Sequence, residues 1–277
     1  MQTIFLTSSP FGPLDNSRTV IGLDPMNRFP EHVEKYWKQE ARCLVISAFP
    51  SDLKACDFMR DSMEGSLRAA GLGLSVLDIW DDRTKDFSAE ALHSYDVVFL
   101  GGGHVPTENA FFHRIGLREK IRDFDGIIIG ISAGTMNAAD TVYAQPELDG
   151  EADDPGYRRF LTGLGLTDIN ICPHYQMLKD TMLDGRRLFD DITYADSLGR
   201  RFLALPDGSY VLIRNGKTEV WGEAWMIADG KITAFCGNDD SKLCGTVSEM
   251  ADPKESGSRK SVRKMPEKTA AENSNRN

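Results

Sequence analysis

The sequence of 277 residues predicts an α/β protein with a mostly parallel sheet and antiparallel strands towards its C-terminal end. Short apolar runs alternate with amphipathic stretches, which is the pattern of an α/β domain. Residues 97–100 and 127–129 are continuous runs of Val, Ile, Phe and Leu, typical of parallel strands buried on both faces. After Tyr210 the runs are short, and the pairs Asn215-Gly216 and Asp229-Gly230 favour two-residue hairpin turns.

The apolar runs define the strands in chain order. The strands predicted for the parallel region are residues 3–7, 42–48, 74–78, 96–100, 126–130, 169–172 and 202–205. Amphipathic stretches between them predict helices at residues 52–70, 109–123 and 133–139. The later strands, expected to form an antiparallel meander at the edge of the sheet, are residues 210–214, 218–221, 224–227 and 231–235.

The chain is expected to form one domain over residues 1–244, followed by a disordered polar tail over residues 245–277. The tail is rich in Ser, Lys, Glu, Asn and Pro and has almost no large apolar residues. Such a segment buries too little apolar surface to offset the entropy lost on ordering. The sequence therefore predicts a single α/β domain and gives the tail no part in its function.

Composition excludes several classes of function. The formal net charge of −10 argues against nucleic acid, which needs a basic surface. Five scattered cysteines without a Cys-x-x-Cys pair offer no zinc site and suit a reducing compartment. The first residues lack the basic start and apolar run of a signal peptide, and no stretch approaches the roughly 20 apolar residues that cross a bilayer. We expect a cytoplasmic protein with no membrane partner, metal or other cofactor.

A Gly-x-Ser-x-Gly motif at residues 130–134 lies between an apolar strand and a helix-compatible stretch. In a nucleophile elbow, this motif places serine on a sharp strand-to-helix turn, with glycines where side chains would collide. The hydroxyl is exposed, and free N–H groups at the helix start can stabilise an oxyanion. Five residues alone could equally form a tightly packed connection. The flanking strand and helix favour Ser132 as a nucleophile.

A second glycine-rich turn follows the predicted strand at residues 97–100. Neighbouring parallel strands end at the same edge of a sheet, so this turn is expected near Ser132. Because glycines let backbone N–H groups approach a substrate closely, we expect an oxyanion hole from Gly102, Gly103 and Ala133. A phosphate-binding loop is the alternative, but the sequence contains neither a Gly-x-Gly-x-x-Gly nor a Walker pattern.

A serine hydroxyl needs a neighbouring base, and the sequence has five histidines. His174 follows an apolar strand and a proline, at a strand end where a sheet presents functional residues. His104 follows the glycine-rich turn and is the second choice. For His32, His93 and His113 we expect solvated or packing roles. The sequence thus favours His174 as the base.

The imidazole needs an acid that fixes its tautomer and stabilises its charged form. Asp207 follows the predicted strand at residues 202–205 and precedes Gly208. Glu147, in the loop after the helix that follows Ser132, is the alternative. Because an Asp-Gly pair is often only a turn, the pattern barely favours Asp207.

Taken in order, these motifs resemble the dipeptidase E/cyanophycinase family of serine peptidases. A Gly-Gly-Gly loop after a strand is followed about 30 residues later by Gly-x-Ser-Ala-Gly. A Pro-His-aromatic triplet (residues 173–175) and an acid-Gly-Ser triplet (residues 207–209) complete the series. The resemblance covers roughly residues 1–240.

The resemblance implies a three-layer, flavodoxin-like sandwich related to the class I glutamine amidotransferases, with serine in place of their cysteine. It implies metal-independent hydrolysis of peptides with an N-terminal aspartyl residue, with Ser132 as nucleophile and His174 as general base. The third member corresponds to Asp207, where the family more often has the longer Glu, or to Glu147. His104 stands where the family often has Asn, and this difference is expected to affect specificity.

The expected partner is a small peptide, bound by a monomer or homodimer. A substrate that begins with Asp needs a local cation, and the candidates are Arg114, Arg158, Arg159, Arg186 and Arg187. An esterase or amidase with the same triad and a non-catalytic small-ligand-binding protein are the alternatives. A glutaminase-like subunit is disfavoured because it would require cysteine at position 132.

Overall fold

The computed structural model describes residues 1–12 and 22–237, and the backbone of residues 243–246. The helices are α1 (Phe29–Glu34), α2 (Leu53–Ala69), α3 (Ala89–His93), α4 (Val105–Arg114), α5 (Leu117–Ile121), α6 (Ala133–Asn137), α7 (Tyr175–Leu178) and α8 (Tyr194–Asp196). A 3-10 turn covers Met26–Arg28 and a π-helical segment covers Leu188–Thr193.

The strands are β1 (Thr3–Thr7), β2 (Ala41–Ile46), β3 (Leu74–Trp80), β4 (Val97–Leu100), β5 (Ile127–Ile131), β6 (Thr141–Tyr143), β7 (Phe160–Thr162), β8 (Asn170–Cys172), β9 (Met182–Leu183), β10 (Arg186–Arg187), β11 (Arg201–Ala204), β12 (Tyr210–Arg214), β13 (Lys217–Trp221), β14 (Ala224–Ala228), β15 (Lys231–Cys236) and β16 (Leu243–Thr246).

The largest sheet has the strand order β16-β13-β12-β1-β5-β4-β2-β3. Strands β1, β5, β4, β2 and β3 run parallel to one another, whereas β12, β13 and β16 extend the sheet in antiparallel pairs. The predicted fold class, an α/β protein with a mostly parallel sheet and antiparallel strands at the C-terminal edge, is confirmed.

A second sheet, of order β15-β14-β11-β8, differs from the sequence prediction. The strands predicted at residues 169–172 and 202–205 pair with each other in this sheet, parallel and outside the large one. The C-terminal meander is also divided, because β12 and β13 join the large sheet while β14 and β15 join the second. Gly222 lies between the two halves with a φ of +86°, a conformation that lets the chain leave one sheet for the other.

The large sheet buries apolar side chains on both faces. Ile4 and Leu6 of β1 belong to one core cluster and Phe5 to the other, as the alternation of side chains along a strand requires. Phe29 of α1 and Leu67 of α2 cover the Phe5 face. Apolar side chains of α4, α5 and the second sheet cover the opposite face. The sheet therefore lies between two layers.

Some boundaries differ locally from the prediction. The single helix predicted at residues 109–123 is divided into α4 and α5 at Gly116, which has a φ of +60°. Strand β16 includes residues 245 and 246, which fall in the predicted tail; residues 247–277 lie outside the described residues. Cys236 is disulfide-bonded, a pairing that the sequence analysis did not expect. Within the described chain, every helix is too short or too polar to span a bilayer.

The turn from β5 into α6 is so closely packed that neither glycine of the Gly-x-Ser-x-Gly motif has room for a side chain. A Cβ atom on Gly134 would lie 2.3 Å from the carbonyl oxygen of Leu100, and one on Gly130 would lie 2.7 Å from Oγ1 of Thr135. The N–H of Gly134 donates to the carbonyl of Gly101 at 2.9 Å. Helix α6 thus rests directly on the end of β4, and this contact sets the position of the turn.

We expect Gly134→Ala to lower the free energy of unfolding by about 1–3 kcal/mol, because the added methyl group has no room. Denaturant unfolding measures the change. Gly65→Ala is the matched control: Gly65 lies within α2, has open space around its Cα, and should gain about 0.5–1 kcal/mol with alanine. Equal stabilities for the two variants would contradict the close packing of α6 on β4.

Candidate active site

Ser132 occupies the sharp turn between β5 and α6, as the motif predicts. Its backbone has φ 49° and ψ −107°, outside the conformations that side-chain-bearing residues usually adopt. Its N–H donates to the carbonyl of Thr7, at the end of β1, with a distance of 3.2 Å. The hydroxyl is held at the carboxyl edge of the parallel sheet, which is the geometry of a nucleophile elbow.

His174 reaches Ser132 from the second sheet. It follows β8 and Pro173 and has a left-handed backbone conformation with a φ of 56°. Its Nε2 lies 2.9 Å from Oγ of Ser132, and its Nδ1 lies 2.7 Å from Oδ1 of Asp207, which follows β11. Because β8 and β11 are parallel neighbours, their carboxyl ends bring His174 and Asp207 together. The structure therefore joins Ser132, His174 and Asp207 in one chain of hydrogen bonds.

The carboxylate of Asp207 is held by three side chains. Its Oδ1 accepts from Oγ of Ser8 at 2.8 Å as well as contacting His174, and its Oδ2 accepts from Nε2 of Gln176 at 2.7 Å. Burial alone would raise the pKa of Asp207, but the interactions with His174, Ser8 and Gln176 outweigh it and lower this pKa. Asp207 is thus held as the carboxylate, which is the form that accepts from an imidazole N–H.

Ser8 and Gln176 are the residues that sequence analysis missed. Ser8 is fully buried, and its Oγ also accepts from the backbone N–H of His174 at 2.7 Å. The backbone N–H of Asp207 donates to Oε1 of Gln176 at 3.0 Å. The amide group of Gln176 therefore both donates to the carboxylate of Asp207 and accepts from its backbone. Ser8 directly follows β1, and its position at the carboxyl end of a central strand was the available signal.

The glycine-rich turn lies beside Ser132, as predicted. A Cβ atom on Gly102 would be 3.6 Å from Cβ of Ser132, and one on Gly103 would be 2.8 Å from Cβ of Ala48. Within the described chain, the backbone N–H groups of Gly102 and Gly103 donate to no protein acceptor. Ala133 is the first residue of α6, so its N–H has no acceptor within the helix.

The two alternative residues occupy other positions. Oε1 of Glu147 accepts from the backbone N–H of Val105 at 3.4 Å, and no hydrogen bond joins Glu147 to His174 among the described residues. His104 contacts Oε1 of Glu151 through Nε2 and Oγ1 of Thr107 through Nδ1, each at 2.8 Å. The structure therefore does not bring Glu147 or His104 into the chain that ends at Ser132.

A cleft of about 290 Å³ opens beside Ser132 and His174. Its other lining residues are Met136, Gln145, Pro146, Glu147, Pro173, Leu178, Thr181, Leu183 and Leu188. Of the arginines considered for a substrate carboxylate, Arg114, Arg159, Arg186 and Arg187 pair with Asp82, Asp196, Asp153 and Asp191, and Arg158 is exposed. None of the five lines the cleft.

Comparison with known proteins agrees with the motifs. The family model described as "Peptidase family S51" matches residues 32–221. A peptidase from an acI-B1 Actinobacterium is structurally similar, with a TM-score of 0.59 and 14% identity, over 86% of this chain and 96% of that one. A putative peptidase E protein from Listeria monocytogenes EGD-e gives a TM-score of 0.52 and 18% identity, over 79% and 98% respectively. No curated protein matches. The family match covers most of the chain, and the protein belongs to peptidase family S51, the dipeptidase E family of serine-type peptidases.

Proposed function

We propose that the protein hydrolyses small peptides through an acyl-enzyme formed on Ser132, with His174 as general base and Asp207 as the acid of the triad. The observation that carries this proposal is the continuous set of contacts Ser132 Oγ to His174 Nε2 (2.9 Å) and His174 Nδ1 to Asp207 Oδ1 (2.7 Å). Both distances lie within the reach that proton transfer requires.

The order of proton transfers follows from these contacts. Asp207 accepts from the Nδ1–H of His174, and this tautomer leaves Nε2 unprotonated and able to take the proton of Ser132. The hydroxyl oxygen attacks the peptide carbonyl, and His174 then donates the proton to the leaving amine. Water, activated by the same imidazole, releases the acyl group. Asp207 stabilises the charged imidazolium in both halves of the reaction.

The oxyanion of each tetrahedral intermediate is proposed to bind the N–H groups of Gly102, Gly103 and Ala133. Two observations support this assignment. The N–H groups of Gly102 and Gly103 donate to no acceptor among the described residues, and Gly102 lies close to Ser132. Each such donor contributes about 2.7–4 kcal/mol to transition-state stabilisation in comparable sites. The close packing of both turns keeps the donors in place before substrate binds.

Ser8 is proposed as a positioning residue for the triad. Its hydroxyl donates to Asp207 and accepts from the backbone of His174, so it fixes the acid relative to the base without touching substrate. The left-handed backbone of His174 makes this second contact important, because it holds a residue in a conformation that is otherwise uncommon.

The resemblance also implies a substrate with an N-terminal aspartyl residue, and we propose this class as the first to be assayed. Its side-chain carboxylate would enter a cleft that no Lys or Arg of the described residues lines. Apart from Ser132 and His174, the neutral polar side chains in the lining are Gln145 and Thr181, and Gln145 already donates to Oγ1 of Thr193 at 2.6 Å. An aspartyl substrate would therefore depend on hydrogen bonds rather than on an ion pair.

Reaction with a fluorophosphonate probe tests the nucleophile. We expect one covalent adduct by intact mass in the wild-type protein and none in Ser132→Ala, whose peptidase kcat should fall by about 10³-fold or more. Asp207→Asn should label far more slowly, because the wrong imidazole tautomer is then favoured. Absence of the adduct on folded wild-type protein would favour the binding-protein alternative.

Ser8→Ala is expected to lower kcat by about 10-fold with little change in KM, because it loosens the acid and base but leaves the cleft intact. Steady-state kinetics with a cleaved dipeptide measures both constants. Ser9→Ala is the control, since no side-chain hydrogen bond of Ser9 occurs within the described residues. A kcat for Ser8→Ala within twofold of that of the control would refute the positioning role.

The dipeptides Asp-Leu and Asn-Leu test whether the enzyme distinguishes a charged from a neutral side chain on the first residue of the substrate. Because no cation lines the described cleft, we expect their kcat/KM values to differ by less than about 10-fold, below the discrimination that a dedicated charge-assisted pair provides. Competition between the two dipeptides in one reaction gives the ratio directly. A preference for Asp-Leu above about 100-fold would contradict this expectation.

A further inference from the structure

A second recess opens beside the nucleophile turn, on the face of the large sheet that α2 covers. Its volume is about 340 Å³, within the size range of small-ligand sites. Its lining combines side chains of α2 with the glycine turn and the end of β5, and includes Phe11, Phe49, Phe58, Met59, Gly102 and Ile131. The cleft that contains Ser132 is instead lined by Met136 of α6 and by residues that follow β8. We call the second recess the α2 pocket.

The α2 pocket is almost entirely apolar. Among the described residues that line it, none carries a charge, and the polar side chains are Ser62 and Ser66. The hydroxyl of Ser66 donates to the carbonyl of Ser62 at 2.8 Å. Phe58, although aromatic, is 67% exposed. Covering these side chains with an apolar group is favourable, whereas a charged group would lose its hydration in the pocket without gaining a partner.

Gly102 connects the α2 pocket to the nucleophile. It lines the pocket, and its N–H is one of the proposed oxyanion donors. A Cβ atom at this position would lie 3.3 Å from Cγ2 of Ile131 and 3.6 Å from Cβ of Ser132, and would therefore occupy the space between the pocket and the nucleophile. The absence of a side chain at Gly102 leaves this passage open.

We infer that the α2 pocket binds the side chain of the substrate residue on the amine side of the cleaved bond, and that it selects an apolar side chain there. This inference rests on the proposed function of Ser132, in which the residue on the acyl side occupies the cleft. When the carbonyl oxygen lies at the glycine turn, the two residues that flank the cleaved bond extend away from the attacked carbon in different directions. Successive Cα atoms are about 3.8 Å apart, so the side chain on the amine side begins within reach of Gly102.

The occupant of the α2 pocket leaves before the second half of the reaction. It is released with the amine that His174 protonates, and hydrolysis of the acyl-enzyme on Ser132 then proceeds without it. Selectivity for this side chain is therefore expected in the steps up to acyl-enzyme formation, which kcat/KM measures.

Paired dipeptides measure this selectivity, because Asp-Phe and Asp-Gly share the acyl residue and differ only on the amine side. We expect kcat/KM to be about 10- to 100-fold higher for Asp-Phe. Ser62→Phe, which fills the α2 pocket, should reduce this ratio to below about threefold, and Phe58→Ala, which removes part of its wall, should reduce it by about 3- to 10-fold.

Asp61→Phe and Leu53→Ala are the matched controls. Both positions belong to α2 but lie outside the lining of the pocket, so these variants should keep the wild-type ratio. Equal kcat/KM values for the two dipeptides in the wild-type protein, or a ratio that Ser62→Phe leaves unchanged, would refute the selectivity.

Binding to Ser132→Ala separates the α2 pocket from catalysis. By calorimetry we expect Asp-Phe to bind at least about 10-fold more tightly than Asp-Gly or Phe-Gly, and adding Ser62→Phe should remove this advantage. Tightest binding of Phe-Gly would place the pocket on the acyl side and overturn the proposal, as would binding of none of the three. If wild-type protein neither reacts with a fluorophosphonate nor turns over, the proposed function fails, while this binding comparison still decides what the pocket takes.

Sedimentation of the wild-type protein and of Phe58→Ala tests the other occupant, a second copy of the chain. We expect the two proteins to have the same oligomeric state. A wild-type dimer that dissociates in Phe58→Ala while the Asp-Phe to Asp-Gly ratio stays unchanged would assign the α2 pocket to self-association and overturn the proposal.

Discussion

The hydrogen bonds of Ser8 are the interaction on which the candidate site depends, because they join the two sheets where their functional side chains meet. Ser132 follows a strand of the large sheet, whereas His174 and Asp207 follow strands of the second sheet. Ser8, at the end of β1, donates to the carboxylate of Asp207 and accepts from the backbone N–H of His174. One buried hydroxyl thus sets the position of the acid and of the base relative to the nucleophile strand.

Close packing of backbone supplies the second constraint. Helix α6 lies against the end of β4 so tightly that Gly134 admits no Cβ atom, and Gly130 is equally confined by Thr135. The strained conformation of Ser132 persists because both flanking segments are fixed in this way. The same contact places the glycine turn beside the serine, so the proposed oxyanion donors and the nucleophile are positioned by one piece of packing.

Two carboxylates near the site differ in pKa because their surroundings differ. Asp207 receives hydrogen bonds from Ser8 and Gln176 in addition to the imidazole contact, and these lower its pKa despite burial. Glu147 receives one long hydrogen bond from backbone, so desolvation dominates and raises its pKa to about 7. An acid that stays ionised beside an imidazole needs hydrogen bonds to its charged form, and Asp207 receives them from Ser8 and Gln176.

The sequence by itself determined the local features: the parallel strands, the elbow at Ser132, the glycine turn and the strand-end positions of His174 and Asp207. Each follows from a pattern within a few residues, such as a run of Ile before Gly-x-Ser-x-Gly. Only the tertiary structure shows that Asp207, and not Glu147, contacts His174. One acid precedes His174 in sequence and the other follows it, and neither position gives a distance to the imidazole. The tertiary structure alone also revealed Ser8, the second sheet and the separation of the candidate arginines from the cleft. The contact between His174 and Asp207 spans 33 residues of chain and that between Ser8 and Asp207 spans 199, and no local periodicity encodes such pairings.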